Sequence, residues 1–354
     1  MNGLVLIKPH NPNECKAERL KYILSRGLGN CEYELISTAS EFEKANLKGK
    51  KLLFAVSLGE SGINLEYFEI LKKIRVNNNC FDGSVGAIIA DGEGEFFTKG
   101  TARELALSAN LAGCAFVGRS LVEGTGSLKN YNTIAKNLSS DNREAYAVSA
   151  EGLVKSLIDF KQPKKSVPRL LMVHAGKSES SNTIMLWDMV KKQLGAVSIS
   201  EISLMDGEIK DCIGCPYVTC RHYGEQKSCF YGGVITEKVY PEILDCDVLV
   251  VVSPNYNDAA PAYITAFINR LTSLVIVNQL SGKQLFAVVV SGYSGGDLVA
   301  MQLIGALNMN KPFILPSGFA LFETANDAGE VKRIQGVEKL ASDFARNMLK
   351  QIKK

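Results

Sequence analysis

Short apolar runs that recur in the same order on either side of a polar, proline-containing segment place the strongest constraint on how this chain can fold. Leu4–Lys8 and Leu170–His174 open the two halves, Leu52–Ser57 (LLFAVS) corresponds to Val248–Ser253 (VLVVVS), and Gly86–Gly92 (GAIIADG) corresponds to Phe286–Gly292 (FAVVVSG). After each of the last pair come a glycine-containing loop, a helix ending near 110–113 or 308–311, and a further expected strand, Ala115–Val117 or Phe313–Leu315. Runs that are apolar without alternation suit strands covered on both faces. Between them, Thr183–Leu194 and Ala262–Leu274 carry apolar residues at helical spacing, Ile264, Phe267, Ile268 and Leu271 in the second case. Strands alternating with helices in this way imply βαβ units and parallel sheets, and right-handed crossovers make each an open, doubly wound α/β sheet. The halves read either as a diverged whole-domain duplication or as two unrelated α/β domains sharing a generic alternation. The expected division is 1–160, a linker at 161–168 (Lys161 to Pro168) and 169–354, with a cysteine-rich insert at 211–230.

Length and charge agree with two globular domains. The chain has 354 residues, 46% apolar, with a formal net charge of +3, enough for two ordinary domains. So small a positive balance points to neither nucleic acid nor a membrane surface as partner. No run reaches the roughly 18 apolar residues needed to span a bilayer. Met1–Lys8, stopped by Pro9, reads as a strand rather than a signal peptide. A cytoplasmic setting with reduced thiols is the expectation.

In a doubly wound sheet, ligands sit beyond the C-terminal strand ends at the switch point, which directs attention to three loops. The first, Ala175 to Thr183, contains Gly176, Ser178, Ser181, Asn182 and Thr183 ahead of a helix. Small hydroxyl residues there cap the helix, and with free N–H groups they can also hold a phosphate. It has neither the dinucleotide fingerprint nor a Walker pattern. The second, Ser253 to Ala262, is fixed by two prolines and offers Pro254, Asn255, Tyr256 and Asn257, a planar ring between two amides that suits a flat heteroaromatic ligand or a rigid surface turn. The third, Ser291 to Gly296, carries Gly292, Tyr293, Ser294 and Gly295, whose glycines leave backbone N–H groups open.

Together these loops resemble the NADPH-dependent FMN reductase group of the flavodoxin-like superfamily, over roughly Val167 to the C-terminus. Gly176 and Ser181-Asn182-Thr183 match that group's phosphate loop, Ser253-Pro254-Asn255-Tyr256 its Ser-Pro-x-Tyr loop, and Phe267-Ile268-Asn269-Arg270 its Phe-x-Asp-Arg helix end. The resemblance implies two tandem flavodoxin-like doubly wound parallel sheets, non-covalent FMN on the thirteen loop residues named above, and reduction by NAD(P)H. The N-terminal half resembles a degenerate copy. Its first loop, Pro9 to Glu14, lacks Ser-Asn-Thr, and its second, Ser57 to Ser61, lacks Pro and Tyr.

Cys212, Cys215, Cys220 and Cys229 follow the spacing C-x2-C-x4-C-x8-C. This is similar to the cluster of iron–sulfur flavoproteins, with longer gaps. Three chemistries fit: a [4Fe–4S] centre; structural zinc, with His222 able to replace one thiolate; or a Cys212–Cys215 dithiol among otherwise free thiols. The expected function is an FMN-dependent NAD(P)H oxidoreductase passing electrons to a small-molecule or protein acceptor, with a homodimer as the expected assembly. The alternatives are a non-enzymatic flavin electron carrier or redox sensor, and a zinc-stabilised flavin-free structural protein.

Overall fold

The computed structural model describes residues 3–12, 17–59, 61–176 and 180–354, and the chain divides into two compact units, Met1–Lys161 and Gln162–Lys354. In the first, strands β1 (Leu4–Ile7), β2 (Tyr33–Ile36), β3 (Lys51–Leu58), β4 (Val85–Gly92) and β5 (Ala115–Gly124) alternate with helices α1 (Ala17–Leu28), α2 (Ala39–Lys44), α3 (Leu65–Val76), α4 (Thr98–Leu111), α5 (Asn132–Leu138) and α6 (Asn142–Asp159). All strands are parallel, in the order β2-β1-β3-β4-β5. Residues of β3 and β4 alternate between the two faces, and both faces are buried: Leu53, Ala55, Ala87 and Ile89 meet α1 and α6, while Phe54 stacks with Phe116 and meets Phe81 edge-on.

The second unit repeats the plan with β6 (Arg169–His174), α7 (Asn182–Gln193), β7 (Ser198–Ser203), α8 (Tyr217–Glu225), α9 (Tyr240–Asp245), β8 (Val248–Asn255), α10 (Ala262–Arg270), α11 (Thr272–Ile276), β9 (Gln284–Ser291), α12 (Gly296–Leu303), β10 (Ala320–Thr324) and α13 (Val337–Ile352). Its order is β10-β9-β8-β6-β7, again all parallel. Read from the other edge this is 2-1-3-4-5, the flavodoxin-like order, with its switch point between β6 and β8. Val248, Val250 and Val252 pack with Phe286, Val288 and Val290 against α7 and α13. Their alternates Leu249, Val251, Leu285, Ala287 and Val289 are equally buried on the opposite face. Trp187 of α7 is fully buried, and its indole Nε1 donates to Glu201 Oε1 at 2.7 Å.

One expectation needs correction. The last strand of the second unit is Ala320–Thr324, not Phe313–Leu315; the latter contributes isolated bridge positions, Ile314 pairing with Gln284. The pairing offset then grows from 30 (Gln284 with Ile314) to 33 (Ala287 with Ala320) across Pro316-Ser317-Gly318. Proline cannot donate to a ladder, so the strand restarts beyond it. The first unit makes the same change, from Val85 with Ala115 to Ile88 with Leu121. The segment expected as a linker is fastened to the second unit. Lys165 bridges Lys353, and Gln284 Nε2 donates to the Pro163 carbonyl at 2.7 Å.

Candidate functional site

A cleft of about 1080 Å3 lies at the C-terminal ends of β6, β8 and β9, just above the usual range for small-molecule sites of about 300–1,000 Å3. Three loops converge there. Gly176, Ser181, Asn182 and Thr183 line it from the first, Pro254, Asn255, Tyr256 and Asn257 from the second, and Gly292, Tyr293 and Ser294 from the third. Ser178 lies outside the described residues. Gly295 does not line the cleft; it sets the turn behind it.

The first loop ends in a capped helix. Ser181 is the N-cap of α7, and its Oγ accepts from Ile184 N. This leaves the N–H groups of Asn182 and Thr183 without an intrahelical acceptor, at the positive end of the helix dipole. Gly176 passes so close to Ser181 that an added Cβ would lie 2.9 Å from its Oγ. The side chain of Asn182 does something the sequence did not indicate. Its Nδ2 donates to the carbonyls of Ala325 (3.2 Å) and Asp327 (2.8 Å), and its Oδ1 accepts from Val331 N (3.2 Å). The Asn182 side chain is therefore committed to holding the loop after β10, and its backbone N–H remains for an anion.

The second loop is a hairpin. Tyr256 and Ala259 exchange N–H···O bonds of 3.1 and 3.2 Å. Between them Asn257 (φ 51°) and Asp258 (φ 60°) are both left-handed, as a two-residue type I′ turn demands. Asn255 Nδ2 donates to the Ser294 carbonyl at 2.7 Å and ties this loop to the third. Its Oδ1 is buried with no partner among the described residues. Gly295 (φ 83°) caps α12 directly behind that bond, where an added Cβ would overlap Asp258 Oδ1 and lie 2.9 Å from Asn255 Nδ2. Tyr256, Tyr263 and Tyr293 line the same cleft as exposed rings.

Met205, Asp258, Tyr263 and the Ala325–Ala328 loop also line the cleft and were not read as site residues from sequence. The last was missed because the fifth strand was placed too early. Its only local sign is Glu330, whose carboxylate accepts from the N–H groups of Asn326 (2.6 Å) and Asp327 (2.9 Å).

The four cysteines of the insert line one separate cavity of about 290 Å3, with Tyr217, Tyr223, Phe230, Tyr231, Asn269 and Arg270 among its walls. Burial, and then the nearness of Cys229, Cys212 and Cys215, push the Cys220 thiol above its ordinary pKa. Cys215 Sγ lies 3.4 Å from the Tyr231 hydroxyl. His222 is turned elsewhere. Its Nε2 meets Gln226 at 2.9 Å, and it does not line the cavity, so it is not brought in as a fourth ligand. Among the described residues no three His, Cys, Asp or Glu side chains converge closely enough to hold a single metal ion. The thiols thus surround a space instead of a point. Asp211 Oδ1 accepts from Cys212 N (2.7 Å) and Asn269 Nδ2 (3.0 Å), which pins the start of the insert to α10. Gly224 lets α8 approach the Ser273 carbonyl more closely than any side chain would allow. The two cavities share α10. Ala262 and Tyr263 at its start line the cleft, and Asn269 and Arg270 at its end line the cysteine cavity, about 12 Å apart along the axis.

Strand order and switch point define the second unit as a flavodoxin-like α/β domain with a cleft at the C-terminal edge of its sheet. Residues 168–327, within the second unit, match the model of the NADPH-dependent FMN reductase family. No curated protein matches the chain in sequence. Similar solved structures include the Trp repressor binding protein from Bacillus subtilis, with 18% identity, 49% of this chain and 98% of that chain covered, and a TM-score of 0.35. RosB with a bound intermediate gives 15%, 52%, 81% and 0.40. An FMN-dependent NADH-azoreductase from Bacillus anthracis, in complex with FMN, gives 11%, 51%, 99% and 0.36.

Proposed function

We propose that the second unit binds FMN in the cleft and works as an NAD(P)H-dependent oxidoreductase whose electrons leave through a [4Fe–4S] centre on the four cysteines to a small-molecule or protein acceptor. The observation that carries the flavin reading is the convergence of three loops at the switch point, where folds of this strand order take FMN. The site suits that ligand at both ends. Gly176, Ser181 and the N–H groups of Asn182 and Thr183 form an anion cradle for the phosphate. The unpartnered Asn255 Oδ1 offers an acceptor to a ring N–H, and the three tyrosines supply flat faces. Bound FMN would supply two-electron chemistry with a nicotinamide donor. The protein's share is placement: the hairpin and the Asn255–Ser294 tie fix the second and third loops relative to each other, and the Asn182 clamp closes the cleft from the β10 side.

The cluster reading is supported by four thiols lining one cavity. Such a cluster would supply one-electron transfer. Anaerobic purification followed by flavin, iron and zinc analysis, with NADH and NADPH oxidation against a quinone or ferric acceptor, tests both cofactors. Stoichiometric FMN, about four irons and nicotinamide turnover are expected. Cys220→Ser should lose the iron and keep the flavin. Protein that refuses added FMN would overturn the flavin reading, and flavin with zinc but no iron would overturn the cluster.

A further inference from the structure

Arg270 is one of the largest side chains in the fold to be almost fully buried, at 2% exposure, and it lines the cavity of the four cysteines. Its partners are neutral. Nη2 donates to the Gly232 carbonyl at 2.7 Å, Nη1 to the Lys210 carbonyl at 3.4 Å, and the guanidinium lies 5.9 Å from the centre of the Tyr231 ring. Among the described residues no carboxylate lies within ion-pairing distance, and Nε is buried with no acceptor. Asp211, beside Cys212, accepts at its Oδ1 from Asn269 Nδ2 and Cys212 N. A permanently charged guanidinium removed from water costs several kcal/mol unless an opposite charge answers it. Four thiols line the same cavity, and they carry net negative charge once they bind a metal centre: four thiolates around [4Fe–4S]2+ sum to −2, and one-electron reduction makes −3.

We infer that Arg270 is the built-in counter-charge of the cysteine-held centre, setting its reduction potential through the guanidinium charge and the free Nε–H. This inference rests on the cluster reading above. A fixed positive charge in the wall stabilises the more negative, reduced form more than the oxidised one, so it raises the potential. Arg270 is a positioning residue here, acting on the electrostatics of the centre rather than ligating it.

The test is a redox titration with dithionite of anaerobically purified full-length chain, followed by electron paramagnetic resonance, for the wild type, Arg270→Gln and Arg270→Lys. Arg270→Gln keeps a hydrogen-bond donor and loses the charge. It should shift the one-electron equilibrium at least tenfold towards the oxidised centre, about 59 mV more negative. Arg270→Lys keeps the charge but cannot span both the Lys210 and Gly232 carbonyls. It should retain iron and stay within threefold of the wild-type equilibrium. Should Arg270→Gln fail to fold, Arg270→Lys still decides. Loss of iron from Arg270→Lys with flavin retained would show that the residue only stitches the insert together, and would overturn the inference. A wild-type potential in Arg270→Gln with iron bound would overturn it too, while leaving the cluster standing. Wild-type protein with flavin but without iron removes the reading beneath it, and the inference with it.

Discussion

Gly295→Ala separates a cleft built for a ligand from one that merely exists. The residue has φ 83° at the N-cap of α12, behind the Asn255–Ser294 bond. Alanine at such an angle costs about 1–3 kcal/mol in backbone strain. Its Cβ would also overlap Asp258 Oδ1 and press on Asn255 Nδ2. Displacing Asn255 forfeits the 2.7 Å bond to Ser294, a further 0.5–1.5 kcal/mol or so. The sum is roughly 2–4 kcal/mol. Without ligand, the exposed second and third loops can move apart to relieve the strain, leaving the sheet intact. Ligand binding must bring them back, so the cost appears in affinity. If about 2 kcal/mol is expressed there, the FMN dissociation constant rises about 30-fold. Apoprotein titrated with FMN, followed by quenching of flavin fluorescence, measures this directly, with circular dichroism confirming that the variant is folded. A folded variant whose dissociation constant stays within threefold of the wild type would refute the claim that these two loops act as one ligand-holding unit.

Three further outcomes follow from groups already described. Asn182→Ala removes three bonds between α7 and the 325–331 segment, and should cost about 2 kcal/mol, roughly 4–8 °C in thermal unfolding of the second unit by calorimetry. Arg19→Ala in the first unit leaves the buried carboxylate of Asp91 without its 2.7 Å ion pair. Urea unfolding of that unit should show a loss of about 3–5 kcal/mol, largely recovered when Asp91→Leu is added. Burial lowers the pKa of His174 from 6.5. The folded state therefore favours neutral imidazole, and the stability this residue carries is full above pH 6.5 and declines as pH falls from 6.5 towards the lowered value. Thermal unfolding between pH 7.5 and 5 should lose that slope in His174→Gln; an unchanged slope would show that His174 does not cause it.

Most of the architecture was legible because its signals are local. VLVVVS and FAVVVSG are apolar at every strand position, and only a sheet buried on both faces asks for that. The three loops were legible for the same reason, since Ser181, Pro254 and Gly295 each answer a nearby backbone demand. What escaped was set by distant residues. The side chain of Asn182 is committed to carbonyls 143 and 145 positions away, which no local pattern announces. The fifth strand was misplaced because Phe313-Ile314-Leu315 is the more apolar segment, whereas Pro316 decides where the ladder resumes. The cysteine spacing marked out four thiols but not the shape of the space between them. Arg270 was visible only as part of a helix-end motif; its burial without an acid beside it is a property of the packed insert.

The nine residues of α10 serve as a common wall. A rod of about two and a half turns, with no proline or glycine inside it, has little scope for bending. It can slide or tilt only as a piece, so a nudge at Tyr263 arrives at Arg270 and the reverse. A ligand that shifts the helix from the cleft end would therefore also move one wall of the cysteine cavity.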